Sequence, residues 1–83
     1  MRISDLENRR GKAIKHVSVI TLRNGDELLV HYGTPIAGIV DRVYVKTDAF
    51  PSVTSSSHID TYLYGRPAAV VEQSLLDSLL SAV

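Results

Sequence analysis

Residues 14–32 read Ile-Lys-His-Val-Ser-Val-Ile-Thr-Leu-Arg-Asn-Gly-Asp-Glu-Leu-Leu-Val-His-Tyr. Two β-branched, alternating runs flank Arg23-Asn24-Gly25-Asp26, and Asn-Gly is the pair that best accepts two successive positive φ angles. The stretch therefore predicts a β-hairpin with Asn24-Gly25 as a two-residue turn. In that register Val19 opposes Val30, Val17 opposes Tyr32 and Ser18 opposes His31. One face carries Val17, Val19, Thr21, Leu28, Val30 and Tyr32 and reads as core. The other carries His16, Ser18, Ile20, Leu22, Glu27, Leu29 and His31, and its apolar end is expected to lie under a helix.

Outward from this hairpin, Gly33-Thr34-Pro35 breaks the second strand. Ile36 to Val40 and Val43 to Thr47 then form a second pair turning at Asp41-Arg42, a poor sequence for a turn of this type. Phe50-Pro51 ends the sheet region. A helix follows from about Ser55 to Tyr64, with Ile59, Tyr62 and Leu63 on one side and Gly65 as its stop. Arg66-Pro67 resets the chain. Leu75, Leu76, Leu79, Leu80 and Val83 then make the apolar stripe of a last, amphipathic helix. Before the hairpin, Ser4-Asp5-Leu6-Glu7 matches a capping box and Gly11 a stop, which predicts a short N-terminal helix over residues 5–10. The fold expected is thus α+β: that short helix, a four-stranded antiparallel β-meander, and two α-helices packed on one face, as a single domain over residues 1–83.

Composition narrows the function classes. Among 83 residues, 45% are hydrophobic, with one Phe, four Tyr and no Trp, so one modest aliphatic core is expected rather than a large enclosed cavity. Nine basic residues balance nine acidic ones, leaving no global field toward nucleic acid. The absence of cysteine removes disulfides, thiolate catalysis and Cys-type zinc sites. No apolar run reaches the length of a signal peptide or a membrane span, so the expectation is a cytoplasmic protein without a membrane partner.

Three groups of residues could carry chemistry. Thr54, Ser55, Ser56, Ser57 and His58 crowd hydroxyls and an imidazole around a helix start. They either cap the helix or, with Arg66 adding charge, let its first N–H groups hold an anion. Ser57 with Asp60 resembles a capping box, which favours the cap. His16, Ser18 and His31 make a second candidate surface, since the predicted register sets His16 and His31 as diagonal neighbours suited to general acid–base cleavage of a phosphodiester. Solvated histidines are the plainer reading. The basic N-terminal residues Arg2, Arg9, Arg10, Lys12 and Lys15 have no interleaved aromatic to stack on bases. Nothing in the spacing of His, Asp and Glu indicates a metal, and no cofactor is expected. The leucine stripe reads as core, with any excess available for a homodimer.

Tyr32-Gly33-Thr34-Pro35-Ile36-Ala37, Tyr44-Val45-Lys46-Thr47 and Ser52-Val53-Thr54-Ser55-Ser56-Ser57-His58-Ile59-Asp60, followed by Tyr62-Leu63, resemble a family of small uncharacterised proteins of phages and archaeal viruses. That family carries Tyr-x-Thr-Pro-Val-Ala, a Tyr-Val-x-Thr strand and Ser-Val-Thr-Thr-Ser-Arg-His-Ile-Asn-Lys before an aromatic-Leu pair. The resemblance implies a viral or prophage origin, and hence a host cytoplasm, but brings no activity with it. Ser57 and Thr61 replace the family's Arg and Lys, and Asp60 its Asn, so an anion site at the helix start is weakened here. The expected function is a non-enzymatic interaction protein whose partner is a host protein or complex, for example a defence complex such as a CRISPR effector. The alternative is a small nucleic-acid- or nucleotide-binding module using the helix N-terminus, and a phosphodiesterase built on His16 and His31 ranks last.

Overall fold

The computed structural model describes residues 2–7, 13–49 and 53–82, with side chains at 3, 17–49 and 57–82. The chain is α+β, as expected, with one mixed sheet in the order β1-β2-β3-β4-β5-β6. β1 (Arg2–Glu7), β2 (Ala13–Thr21), β3 (Glu27–His31), β4 (Thr34–Val40) and β5 (Val43–Thr47) run as an antiparallel meander. α1 (Val53–Leu63) then carries the chain back so that β6 (Ala69–Val71) pairs parallel to β5, and α2 (Gln73–Ser81) follows.

The hairpin forms where the sequence places it, but its register is one residue away from the expected one. Gly25 N–H donates to the Leu22 carbonyl (3.1 Å) and Leu22 N–H to the Asp26 carbonyl (2.7 Å), so the loop is Arg23-Asn24-Gly25. A single glycine at φ 93° supplies the positive φ of this three-residue loop. The Asn24 side-chain oxygen accepts from Asp26 N–H at 3.0 Å, and Asn24 keeps a negative φ, Gly25 alone taking the left-handed conformation in this loop. Val19 therefore opposes Leu29, Ser18 opposes Val30 and Val17 opposes His31. One residue of slip moves every β3 side chain to the other face.

That slip explains the layering. Val17 and Leu29 join Ile36, Ala37, Ile59 and Leu63 in a cluster under α1, while Leu28 and Val30 join Val45 and Leu76 in a second cluster under α2. The expectation of both helices on one face is thus corrected to one helix on each. The run Leu28-Leu29-Val30 is buried throughout, and alternation sends its members to opposite faces, so each face needs its own cover. β6 was missed because three residues, Ala69-Val70-Val71, are too few to show a period.

Two further expectations are revised. Residues 5–7 of the predicted N-terminal helix lie in β1, where Ile3 opposes Ile20 and Asp5 opposes Ser18; residues 8–10 are outside the described residues. One or two helical turns cannot offset their own nucleation, whereas the nine-residue β2 offers an edge with unmade hydrogen bonds. The break at Gly33-Thr34-Pro35 shrinks to a two-residue turn at Tyr32-Gly33, since His31 opposes Thr34 and β4 runs through Pro35. A register shift lets Ile36 bulge between Ala37 and Pro35, a place where proline's missing donor is tolerated. The Asp41-Arg42 turn stands as read, with Val40 opposite Val43 and φ angles of 50° and 67°. The Asp26 carboxylate accepts from Asp41 N–H at 3.1 Å and so supports a turn that its own sequence favours little.

α1 begins two residues before the expected Ser55 and ends at Leu63, with Tyr64 and Gly65 both left-handed (φ 52° and 80°). Gly65 is the stop that the sequence indicated. α2 is anchored by Gln73, whose amide donates to the Pro35 carbonyl (2.7 Å) and accepts from the Thr47 hydroxyl (2.6 Å).

Candidate functional site

Each candidate set contributes one histidine to the same place. His31, the last residue of β3, follows Leu29 on the face covered by α1, because in the observed register it opposes Val17. His58 lies in the second turn of α1 beside Ile59, on the stripe that continues through Tyr62 and Leu63. Their rings meet edge to face, with centroids 4.7 Å apart and planes at 72°. Tyr32 closes the group, its ring 4.8 Å from that of His31.

The other members disperse. Thr54, Ser55 and Ser56 belong to the first turn of α1, but their side chains lie outside the described residues, so the cap reading concerns atoms not described. Ser57 is exposed, and its carbonyl accepts from the Thr61 hydroxyl at 3.0 Å. Arg66 follows the far end of α1, separated from the helix start by roughly 15 Å at ~1.5 Å per residue. Its guanidinium stacks 5.4 Å from the Tyr44 ring centre. Ser18 opposes Val30 and so shares the pleat of the α2 face, whereas His31 takes the α1 face. Position 16, one residue before Val17, alternates away from His31, which removes the diagonal relation expected between the two histidines; the His16 side chain is outside the described residues.

A second polar group, unread in the sequence, lies at the opposite end of α1. Tyr62 donates its hydroxyl to Glu27 Oε1 at 2.9 Å and stands 6.3 Å from Tyr44. Burial first, then the Glu27 hydrogen bond and charge, raise the Tyr62 phenol far above its ordinary value, so it stays a donor at any physiological pH. This group closes the core rather than opening a site. Its signal in the sequence was the spacing of His58, Ile59, Tyr62 and Leu63, one helical stripe that takes both polar residues onto the sheet.

His58 titrates below the ordinary imidazole value of 6.5, first through desolvation and second through the charge of His31. The folded state thus binds this proton less readily than the unfolded chain, so the contribution is full above pH 6.5 and is lost as pH falls through and below it. The urea midpoint is expected to fall between about pH 7.5 and about pH 5, and to fall less in His58→Gln. Because His58 is only partly buried, the effect is small, and a pH response identical in His58→Gln refutes this assignment.

Among the described residues, no group of three or more His, Cys, Asp or Glu side chains converges, and no helix is long and apolar enough to cross a membrane. The model of one family, described as a family of unknown function (DUF8033), matches residues 1–78. No curated protein and no solved structure matches this chain.

Proposed function

We propose that this chain, which belongs to the family of unknown function DUF8033, is a non-enzymatic interaction protein. It docks a folded partner through the end of the molecule formed by the Tyr32-Gly33 turn and the start of α1. The observation that carries this reading is Tyr32. It is 70% exposed and sits in the left-handed region at φ 51°, in a turn position that asparagine or glycine occupies with less strain. Little burial offsets that strain, and exposed tyrosines are over-represented among the residues that carry binding energy. His58 and Ser57 would extend the same surface. The resemblance to phage and archaeal-virus proteins supports a host protein or complex as the partner, with a defence complex such as a CRISPR effector as one form of it.

Tyr32→Asn separates binding from folding. It creates Asn-Gly, the preferred pair for this turn, and is expected to stabilise the fold by about 0.5–1 kcal/mol, raising Tm by several degrees. The reading also expects a stoichiometric complex with a protein from the host lysate, retained after nuclease treatment and lost in both Tyr32→Asn and the double variant Ser56→Ala/His58→Ala. Retention of the complex in a folded Tyr32→Asn protein overturns the surface. Recovery of nuclease-sensitive material alone, weakening steeply with salt, overturns the protein partner and favours nucleic-acid binding at the α1 start.

A further inference from the structure

We propose that Asn24 is a site of spontaneous deamidation that the folded hairpin holds shut and unfolding opens. The reaction joins the Gly25 backbone nitrogen to Asn24 Cγ. That nitrogen gives up its proton, the new C–N bond closes a succinimide ring, and the side-chain nitrogen leaves as ammonia. Water then opens the ring at either carbonyl, giving aspartate or, with the main chain rerouted through the side chain, isoaspartate. Glycine after the asparagine resists this least, because no side chain crowds the attacking nitrogen, and a Cβ built on Gly25 meets nothing within 4 Å. Arg23, Asn24 and Gly25 are exposed, so water reaches the loop. Asn8, the other asparagine of the chain, precedes an arginine and lacks this advantage.

In the folded loop both reacting groups are engaged. Gly25 N–H donates to the Leu22 carbonyl at 3.1 Å, which shields the proton that must leave and ties the nitrogen to Leu22. The Asn24 amide accepts at Oδ1 from Asp26 N–H (3.0 Å) and donates through Nδ2 to Asp26 Oδ2 (3.2 Å). Cγ therefore cannot swing onto the nitrogen without breaking these bonds. Asp26 is itself held, its other carboxylate oxygen accepting from Asp41 N–H at 3.1 Å. Each bond contributes modestly, but bonds that must open together leave the reactive conformer to a small fraction of folded molecules. The products do not restore the loop. Aspartate at position 24 loses the Nδ2 donor and sets a second carboxylate against Asp26, and isoaspartate lengthens the main chain of the loop that fixes the β2–β3 register. Either change weakens the hairpin that slowed the reaction, so an unfolding excursion long enough to react leaves a permanent mark. The loop lies at the other end of β3 from Tyr32, and the inference is independent of the docking reading.

The test is incubation of the whole chain at neutral pH, in buffer and in urea, followed by peptide mass spectrometry that distinguishes asparagine, aspartate and isoaspartate at position 24. Asn24 is expected to react about tenfold or more faster in urea than in buffer, while Asn8 stays intact over the same period. In buffer, Asp26→Ala should react severalfold faster than the wild-type protein, and at the wild-type rate in urea, because it frees the amide only in the folded loop. Asp26→Asn, which keeps an acceptor oxygen, should stay close to wild type. Circular dichroism checks that each variant is folded, and if Asp26→Ala is not, the wild-type comparison between buffer and urea still decides. Equal rates in buffer and urea overturn the proposal. So does ammonia loss at Asn8 or Gln73 ahead of Asn24.

Discussion

Gly38→Ala is expected to be the most damaging single substitution in this domain. Gly38 lies in the middle of β4, with Leu28 of β3 on one side and Val45 of β5 on the other. A Cβ built there runs into the Glu27 carbonyl oxygen, with the Glu27 carbonyl carbon and Leu28 Cα both 3.2 Å away. All three are backbone atoms of a central strand, so no rotamer change relieves the clash. The strands must separate instead, which strains the hairpin, the β3–β4 hydrogen bonds and the cluster around Leu28 at once. Overpacking costs about 1–3 kcal/mol where side chains can yield, and a backbone clash belongs at or above the top of that range. A domain of this length has only about 4–12 kcal/mol in total. The expected result is a Tm lower by about 15 °C or more, or no cooperative transition, read by circular dichroism in urea and on heating. A variant within about 0.5 kcal/mol of wild type would show that β3 and β4 are not this close.

Leu76→Ala should follow closely. Leu76 is the one buried residue of α2, fully enclosed by Leu28, Val30 and Val45 with Leu79 and Leu80 beside it. Truncating a leucine in such a place costs about 2–5 kcal/mol through lost transfer energy and the cavity left behind. A nine-residue helix has little stability of its own, so the loss should concentrate in α2. Hydrogen exchange is the discriminating measurement: amides of α2 should lose protection while those of α1, whose contacts lie on the other face, keep more of theirs. Leu75→Ala is the control, since Leu75 is exposed and should change stability by no more than about 0.5 kcal/mol. Equal losses at positions 75 and 76 would mean that α2 meets the sheet by another face.

The elements legible in the sequence were those whose signal is local. The hairpin around Asn24-Gly25, the turn at Asp41-Arg42, the stop at Gly65 and the amphipathic last helix each depend on a few neighbouring residues and their φ preferences or periodicity, and each lies where it was read. The site was legible in its parts but not in its assembly. His58 and His31 stood out as histidines, yet their meeting depends on the β2–β3 register, on which face α1 covers, and on where α1 begins.

Those are tertiary decisions. Arg23-Asn24-Gly25-Asp26 is compatible with a two-residue or a three-residue loop at nearly equal local cost, and what separates them is whether Leu28, Leu29 and Val30 all find cover. Burying three successive residues of one strand requires a helix on each face, and the chain provides it by returning through β6 before α2. The same demand moved residues 5–7 out of a marginal helix into pairing with β2. By itself the sequence determined which residues are apolar, where the chain turns and where its helices stop, because these follow from side-chain chemistry and backbone sterics. Only the tertiary structure decided register, face and the His31–His58 encounter, because those depend on apolar area removed from water over the whole domain, a quantity no short window contains.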